Sequence, residues 1–393
     1  MDPRTQFCPN MACPARGEVG AGNIGVHPVQ PGLGSRAERR YICRRCGKTF
    51  AETTGTPFYK RQYTRRFISD MISLIAHGCP LQAIVNTFRV DERTVADWVR
   101  SSGPRRVDGT RQHCQEVHMA TVQQGQLDLG QVQADELRVK AQGQIFWMAL
   151  ALAVNTRLPS LVDWTRWLGG VVSQKRDTSL VLALALYVKA CALARPLLIC
   201  FDGFRGYLEA FRKAFRTPLR EGKLGRPRLI PWPNIALGQV VKETVGRRLV
   251  GVKRRLVQGD EAAVQALLIS SQGGGVLNTA FIERLNATFR AQFASLVRRT
   301  RALARTEALL GSGMYLVGCV YNFCTWHESL RLPLYITERR HRWVQRTPAL
   351  AAGLTDHCWS VLELLLFKVP PSPYVPPKRR GRPPKTAPAA IPA

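Results

Sequence analysis

The chain has 393 residues, 45% of them hydrophobic, and its 57 Lys and Arg residues outnumber 27 Asp and Glu residues to give a formal net charge of +30. This apolar fraction can fill a real core, which excludes a disordered polycation. A charge excess of this size along the whole chain favours a polyanionic partner, and nucleic acid is the commonest one. The first residues carry no apolar signal segment, and the longest uncharged run, 308–326, contains three glycines and Asn322. We therefore expect a cytoplasmic protein without a membrane span.

Residues 1–60 contain four cysteines with the spacing of a metal site. Cys8 and Cys13 form one pair, and Cys43 and Cys46 form a second pair after 29 intervening residues. Two such pairs on separate turns can close a tetrahedral thiolate site around Zn²⁺. The pattern predicts a zinc-ribbon DNA-binding domain held together by a structural Zn²⁺, with four unligated cysteines in a loop as the alternative.

Residues 61–104 have the pattern of three short helices. Apolar residues recur at helical spacing between Phe67 and Ile75, and two shorter helices are predicted at 81–88 and 93–100 with a tight turn between them. This arrangement indicates a helix-turn-helix, although a helical packing module without DNA contact has the same pattern.

The last of these helices would enter a major groove. Its exposed side carries Arg93 and Arg100, which we expect to contact DNA, whereas Val95 and Trp98 are expected to face the core. A segment rich in Gly, Pro and Arg follows, so residues 105–126 are predicted to be a linker.

Residues 127–335 are predicted to form a mixed α/β catalytic domain. QVQADELRVK, GQIFWMALALAV and SLVDWTRW have strand patterns, and DTSLVLALALYVKACALA has the pattern of a long helix. The apolar run LLICF then ends in Asp202 and Gly203. An acid at the carboxyl end of a buried strand is where open α/β sheets place their sites.

A basic stretch, residues 212–255, follows within this domain. It holds thirteen Lys and Arg residues against two Glu residues and includes GRPR at 225–228. We expect it to be an insertion that interrupts the domain.

The segment NTAFIERLNATFR has one acid in strongly basic surroundings. An apolar seam from Ile282 to Leu296 predicts a packed helix, with Glu283 beside the seam and Arg290 on the same stripe two turns away. A partly buried acid costs free energy unless a cation offsets it, so a metal ion is one candidate partner. An ion pair with an arginine one turn away is the alternative.

Three acids on separate elements, Asp135, Asp202 and Glu283, are the candidates for a catalytic metal site. Mg²⁺ takes oxygen ligands, and two ions of Mg²⁺ or Mn²⁺ about 4 Å apart would promote an in-line phosphoryl displacement. Glu136 should point to the opposite face of the strand from Asp135, so only one of the two can join the site, and we choose Asp135. The alternatives are that Glu136 joins instead, or that both residues form salt bridges. Asp202 has an alternative role as a helix cap.

YICRRCGKTF, ADELRVK, ICFDGF and above all NTAFIERLNATFR with LVRRTRA resemble the transposases of the insertion-sequence-one family, over roughly residues 5–330. These are DDE recombinases with a ribonuclease-H-like catalytic fold, so the resemblance implies that fold for residues 127–335. It implies the triad Asp135, Asp202 and Glu283, with Arg290 contacting DNA near the cut, and the four cysteines as zinc ligands in terminal-repeat recognition. Arg284, on the same helix, is a further DNA-binding candidate.

Residues 336–393 are predicted to be a basic C-terminal region. Its tail resembles an AT-hook, in which Arg380 and Arg382 flank Gly381 and would follow a narrow A·T minor groove. A disordered basic linker that binds phosphates is the alternative.

The expected function is that of a DNA transposase that binds terminal inverted repeats, cleaves the 3′ ends and joins them to target DNA. The expected partners are double-stranded DNA, at the element ends and the target, and further copies of the chain in a synaptic complex on the nucleoid of a prokaryotic host. One alternative is a DNA-binding regulator with an inactive ribonuclease-H-like domain. Another is a metal-dependent nuclease or resolvase that cuts without strand transfer.

Overall fold

The computed structural model describes residues 2–28, 38–99, 109–124, 127–154, 165–220, 225–246, 248–271, 275–297, 302–337 and 340–376. The chain divides into two compact units, one of Met1–Thr54 with the residues from Pro370 onward, and one of Gly55–Val369. The first predicted domain thus ends at Thr54 rather than at residue 60. Of the predicted DNA-binding residues, Arg100, Arg380 and Arg382 lie outside the described residues.

The smaller unit is built on a three-stranded antiparallel sheet of β1 (Ile24–Val26), β2 (Arg40–Cys43) and β3 (Thr49–Ala51), with β2 in the centre. Only a few apolar side chains, such as Tyr41 and Phe50, are buried with its cysteines. A core this small needs a further stabilising element.

The larger unit contains most of the regular structure. Its strands are β4 (Gln131–Ala141), β5 (Gln144–Val154), β6 (Thr165–Ser173), β7 (Leu197–Phe201), β8 (Arg216–Leu219), β9 (Arg228–Pro231), β10 (Ile235–Val245), β11 (Arg248–Gln258), β12 (Leu332–Thr337) and β13 (Arg340–Val344). Its helices are α1 (Arg65–Ala76), α2 (Leu81–Phe88), α3 (Glu92–Val99), α4 (Thr110–Thr121), α5 (Thr178–Cys191), α6 (Gly206–Ala214), α7 (Glu261–Ser270), α8 (Ala280–Gln292), α9 (Glu307–Cys319), α10 (Pro348–Ala351) and α11 (Val361–Leu366).

A six-stranded mixed sheet in the order β11-β10-β7-β4-β5-β6 organises this unit. The strands β4, β5 and β6 form an antiparallel meander. β7 then pairs in parallel with β4, β10 pairs in parallel with β7, and β11 closes the edge in antiparallel fashion. The predicted mixed α/β class is confirmed.

Helices cover both faces of the sheet. Side chains of β5 alternate between two cores: Phe146, Met148 and Leu150 pack in the cluster that contains α8 and α9. Ala149 and Ala151 pack in the cluster that contains α5 and α6. This period-2 alternation places a separate helical layer on each face of the sheet.

The prediction that residues 212–255 form an insertion is wrong for the second half of the stretch. β10 and β11 are strands of the central sheet, and only the β8–β9 hairpin pairs separately. β11 lacks a recognisable strand pattern because it is an edge strand, and edge strands tolerate charged residues. Its Lys253, Arg254 and Arg255 are all exposed.

Two further boundaries are corrected. The predicted linker 105–126 contains α4, which buries Cys114 and Val117 against the larger core. The predicted C-terminal region 336–393 contains α11, whose Leu364 and Leu365 belong to the same core. α4 has twelve residues but few apolar ones, and α11 has only six residues, so helical periodicity does not stand out in either.

The predicted short helices of residues 61–104 are present as α1, α2 and α3, with a turn between α2 and α3, and Val95 and Trp98 are buried as predicted. These helices do not form a separate domain. Ile68, Val95 and Trp98 lie in the same buried cluster as Phe289 of α8 and Leu316 of α9. The three helices and the sheet therefore share one core.

One helical segment among the described residues, Glu307–Leu330, is long and apolar enough by composition to cross a membrane. Its most apolar window is 67% buried inside the protein, as expected for a core helix.

The contact between α9 and β6 provides a test of this core. A Cβ atom on Gly318 would lie 2.1 Å from the Trp167 ring, whereas a Cβ on Gly311 of the same helix meets nothing within 4 Å. We expect Gly318→Ala to lower the free energy of unfolding by about 1–3 kcal/mol through overpacking, measured by urea denaturation. Gly311→Ala is the matched control and should be neutral or stabilising by up to about 1 kcal/mol. Equal effects of the two variants would contradict the packing.

Candidate functional site

A group of carboxylates lies where two parallel strands end side by side. The pairing of β4 with β7 ends at Ala134 opposite Phe201, so the next residues, Asp135 and Asp202, follow together. Ligand oxygens of Asp135, Glu136 and Asp202 all lie within 4.8 Å of one another. The sequence predicted the convergence of Asp135 and Asp202, and the structure adds Glu136.

The orientation of Asp135 and Glu136 was predicted in part. The two side chains do face different layers: Asn286 of α8 donates a hydrogen bond to Asp135 Oδ2 at 2.7 Å, and the Tyr207 hydroxyl of α6 donates to Glu136 Oε2 at 2.7 Å. The inference that only one can reach the site is wrong. Pairing with β7 ends at Phe201, so beyond that point no β7 backbone separates the two carboxylates.

Arg176, which no sequence pattern indicated, pairs with two of these acids, Glu136 and Asp202. Its guanidinium donates to Glu136 Oε1 at 2.5 Å and lies 3.6 Å from Asp202 Oδ2. The same group packs against the rings of Phe204, at 4.6 Å, and Trp147, at 5.1 Å. No local pattern around Arg176 in the sequence signals this position, because all of its partners come from other elements.

The two oxygens of Glu136 are therefore occupied by Arg176 and Tyr207, and its side chain is only 2% exposed. Asp202 Oδ1 accepts from the Phe204 N–H at 2.9 Å. This bond closes the turn before α6, whose N-cap is Arg205, so Asp202 is not the helix cap. Asp135 and Asp202 keep more free lone pairs than Glu136, which makes them the better ligands.

The electrostatics of the group favour a bound cation. Burial, followed by the charge of Glu136, raises the pKa of Asp135 to about 7, with smaller contributions from Asp202 and Glu283. Glu136 and Asp202 share one arginine, Arg176, so negative charge remains uncompensated at neutral pH. An all-oxygen donor set of this kind suits Mg²⁺ or Mn²⁺. Asp135 and Asp202 would hold such an ion.

Glu283 lies on α8 and is not part of the close group. Its Oε1 accepts from Lys242 Nζ of β10 at 2.5 Å and from the Thr279 hydroxyl at 2.8 Å, and its side chain is 42% exposed. The alternative of an ion pair is thus realised, with Lys242 rather than an arginine one turn away.

The helix that carries Glu283 is nevertheless hydrogen-bonded to the site. Gln133 of β4 accepts hydrogen bonds from the backbone N–H groups of Phe281 and Ile282 at 3.1 and 3.0 Å, which satisfies two free donors of the first turn of α8. Asn286, three residues after Glu283, binds Asp135. A position three residues along a helix lies on the same face, and this spacing could have signalled Asn286 from sequence.

The four cysteines of the smaller unit come together as predicted. Their sulfur atoms all lie within 4.8 Å of one another, with Cys8 and Cys46 at 3.7 Å and Cys13 and Cys43 at 3.8 Å. A tetrahedral zinc site with Zn–S bonds of about 2.3 Å requires S···S separations of about 3.8 Å. The cluster therefore has the dimensions of a Cys₄ zinc site and could hold one Zn²⁺.

The remaining predicted DNA contacts lie on helices of the larger unit. Arg93 is exposed on α3, and Arg284 is exposed on α8, whereas Arg290 near the end of α8 is partly buried. Phe289 beside it is fully buried, which confirms the predicted apolar seam.

No protein-family model matches the chain, and no curated protein is significantly similar to it. The site is therefore interpreted from its own chemistry.

The zinc assignment is tested with Cys43→Ser. We expect wild-type protein to contain one Zn²⁺ per chain and the variant to contain far less, because three thiolates and a hydroxyl bind Zn²⁺ more weakly. Metal content is measured by inductively coupled plasma mass spectrometry after dialysis. Cys79→Ser, at a partly buried cysteine outside the cluster, is the control and should keep its zinc. Unchanged zinc in Cys43→Ser would exclude this ligand set.

The raised pKa of Asp135 predicts a pH dependence for the metal-free protein. Its folded-state value of about 7 exceeds the ordinary 3.8, so between these values the unfolded carboxyl is ionised while the folded one keeps its proton. The free energy of unfolding of the wild-type protein, compared with that of Asp135→Asn, is therefore highest below pH 4 and falls as the pH rises through 7. At pH 8 the variant should be more stable by at most about 4 kcal/mol, since one pKa unit corresponds to about 1.36 kcal/mol.

The measurement is urea unfolding of both proteins in EDTA across this pH range. Added Mn²⁺ should stabilise the wild-type protein and have a much smaller effect on Asp135→Asn. If the stability difference between the two proteins is constant with pH and Mn²⁺ affects both equally, the raised pKa of Asp135 and the ion site are both ruled out.

Proposed function

We propose that this protein is a metal-dependent DNA transposase of the DDE type. The observation that carries the proposal is the convergence of Asp135 and Asp202 at the ends of adjacent parallel strands, with α8 and its Glu283 fastened beside them by Gln133 and Asn286. The mixed sheet, a three-strand meander followed by parallel strands with acids at its centre, is compatible with a ribonuclease-H-like domain. The net charge of +30 supports a nucleic-acid substrate.

In the proposed reaction, water attacks the phosphodiester at each 3′ end of the element, and the P–O3′ bond breaks to leave a 3′ hydroxyl and a 5′ phosphate. The 3′ hydroxyl then attacks a target phosphodiester, forming one P–O bond while releasing a target 3′ hydroxyl. Divalent ions would lower the pKa of the attacking group and stabilise the leaving oxygen. No covalent bond to the protein is required.

The roles of the side chains follow from their contacts. Asp135 and Asp202 would hold the ions, and Asn286 orients Asp135. Glu136 holds Arg176 through a hydrogen bond, while Tyr207 fixes the second oxygen of Glu136. Glu283 would complete the triad when a cation and DNA replace its pairing with Lys242, which then becomes free to contact a phosphate.

The smaller unit and α3 would provide recognition of the terminal repeats. A zinc-stapled ribbon is rigid without a large core, and α3 presents Arg93 on its exposed face. Synapsis of two ends would require further copies of the chain.

One observation favours a different function. Arg176 lies among the three close carboxylates, and Lys242 pairs with Glu283, so the described site is partly neutralised by the protein's own cations. A DNA-binding regulator with an inactive catalytic domain could retain such a site.

The two functions are separated with labelled duplex DNA carrying the genomic sequences that flank the coding sequence on each side, incubated with protein and Mn²⁺ or Mg²⁺. The proposal expects cleaved and joined products. Asp135→Asn, Asp202→Asn and Glu283→Gln should each reduce them by about a hundredfold or more, because each removes several kcal/mol of charge stabilisation.

Glu261→Gln, the same chemical change at an exposed acid of α7, is the matched control and should be as active as wild type. Binding without cleavage would support the regulator, and cleavage without joining would support a nuclease. Full activity of Glu283→Gln would remove that residue from the triad.

A further inference from the structure

The β8–β9 hairpin stands apart from the central sheet. Its four residue pairs run from Arg216 opposite Pro231 to Leu219 opposite Arg228, and the residues of both strands are all exposed. Three of them are large and apolar: Leu219 is 41% exposed, Leu229 45% and Ile230 39%. Since directly opposed residues share a face, Leu229 lies on one face and Leu219 and Ile230 lie on the other. Neither face is covered.

Among the described residues, the contacts that anchor the hairpin lie at its base. The Trp232 indole N–H donates to the Thr217 hydroxyl at 2.6 Å, the ring packs edge-on against Phe215 at 5.2 Å, and Lys189 lies 5.4 Å from the ring centre. Lys189 also donates to the Arg216 carbonyl. An isolated two-stranded hairpin is marginally stable in water, so the anchored base holds an arm that is suited to a partner.

The described part of this arm carries charge of one sign, and the acid Glu221 lies outside the described residues. Within 212–231 the described charged residues are all basic and all exposed: Arg212, Lys213, Arg216, Arg220, Arg226 and Arg228. The Nε atoms of Arg212 and Arg216 are used within the protein, by Gln258 and by the Arg212 carbonyl. Among the ion pairs between described residues, none involves Arg220, Arg226 or Arg228.

The chemistry of this surface disfavours binding of a second copy of the chain. Pro218, Pro227 and Pro231 have no N–H group to continue a β-ladder, so they oppose strand addition at the hairpin. Two arms of like charge would also repel each other.

Duplex DNA fits both the charge and the dimensions. Four paired residues span about 13 Å with strands about 4.8 Å apart, and the major groove, about 12 Å wide, admits a two-stranded ribbon with phosphates on both rims. We propose that the β8–β9 hairpin is a DNA-binding arm in which Arg220, Arg226 and Arg228 contact the phosphate backbone. The proposal rests on the DNA-binding part of the proposed function.

The arm should act on binding rather than on chemistry. It follows α6, whose nine residues span about 14 Å, and Asp202 lies before the other end of that helix. DNA on the arm is thus held about one helix length from the acids. Loss of the arm should weaken DNA binding while leaving cleavage at saturating DNA within about twofold.

The test compares two triple variants of the full chain, R220A/R226A/R228A and R220K/R226K/R228K. Binding to a labelled duplex of mixed sequence is measured by fluorescence anisotropy between 50 and 300 mM salt, without divalent metal. Each lost phosphate contact should reduce the slope of log K against log salt by about 0.9, so the alanine variant should be shallower by about 2.7. The lysine variant should keep the wild-type slope because it retains the charges.

An unchanged slope in the alanine variant would overturn the proposal, as would a lysine variant that loses as much as the alanine variant. Thermal unfolding of both variants verifies that the fold is retained. Mass photometry identifies the other occupant: dissociation of an oligomer in the alanine variant with an unchanged slope would assign the arm to a second copy. The binding assay does not depend on cleavage. If the arm binds DNA but the protein neither cuts nor joins it, only the transposase proposal is contradicted.

Discussion

The parallel register between β4 and β7 is the constraint on which the candidate site depends. Ala134 pairs with Phe201 at the last step of this ladder, so two acids far apart in the chain emerge side by side at the end of the sheet. A shift of one residue would move Asp135 to the other face of β4 and would separate it from Asn286. The buried side chains on both faces, such as Leu137 and Ala134, prevent this shift.

Charge balance is the second feature of the molecule. The acids lie in a chain with thirty more basic than acidic residues, and Arg176 and Lys242 partly neutralise them. Burial and the charge of Glu136 raise the pKa of Asp135 to about 7, so this carboxyl is partly protonated at neutral pH. Under the proposed function, divalent cations would bind these acids, and DNA phosphates would then take the released basic side chains as partners. A net positive charge that favours a polyanion thus surrounds a group of acids that suits a cation.

The two N-terminal elements of the protein are stabilised in different ways. The smaller unit has few buried apolar side chains and relies on four convergent cysteines. Helices α1, α2 and α3 instead share their core with α8 and α9, so their orientation to the helix that carries Glu283 is set by packing. Residues on α3 and α8 therefore keep a fixed relative position, as the proposed contact of both helices with one DNA molecule would require.

Local patterns in the sequence were sufficient for much of this protein: the cysteine pairs, the strands around Asp135 and before Asp202, the seam of α8 and the buried side of α3. Each has a strong period or spacing that is fixed by backbone geometry. Patterns failed for β11, whose exposed residues are mostly charged, for α4, which has few apolar residues, and for α11, which has only six residues. Only the tertiary structure decided that Glu136 joins the close group, that Arg176 lies among the acids and that Lys242 pairs with Glu283. These contacts join residues far apart in the chain. Which of them meet depends on where the β4–β7 ladder ends, and no local pattern in the sequence encodes that position.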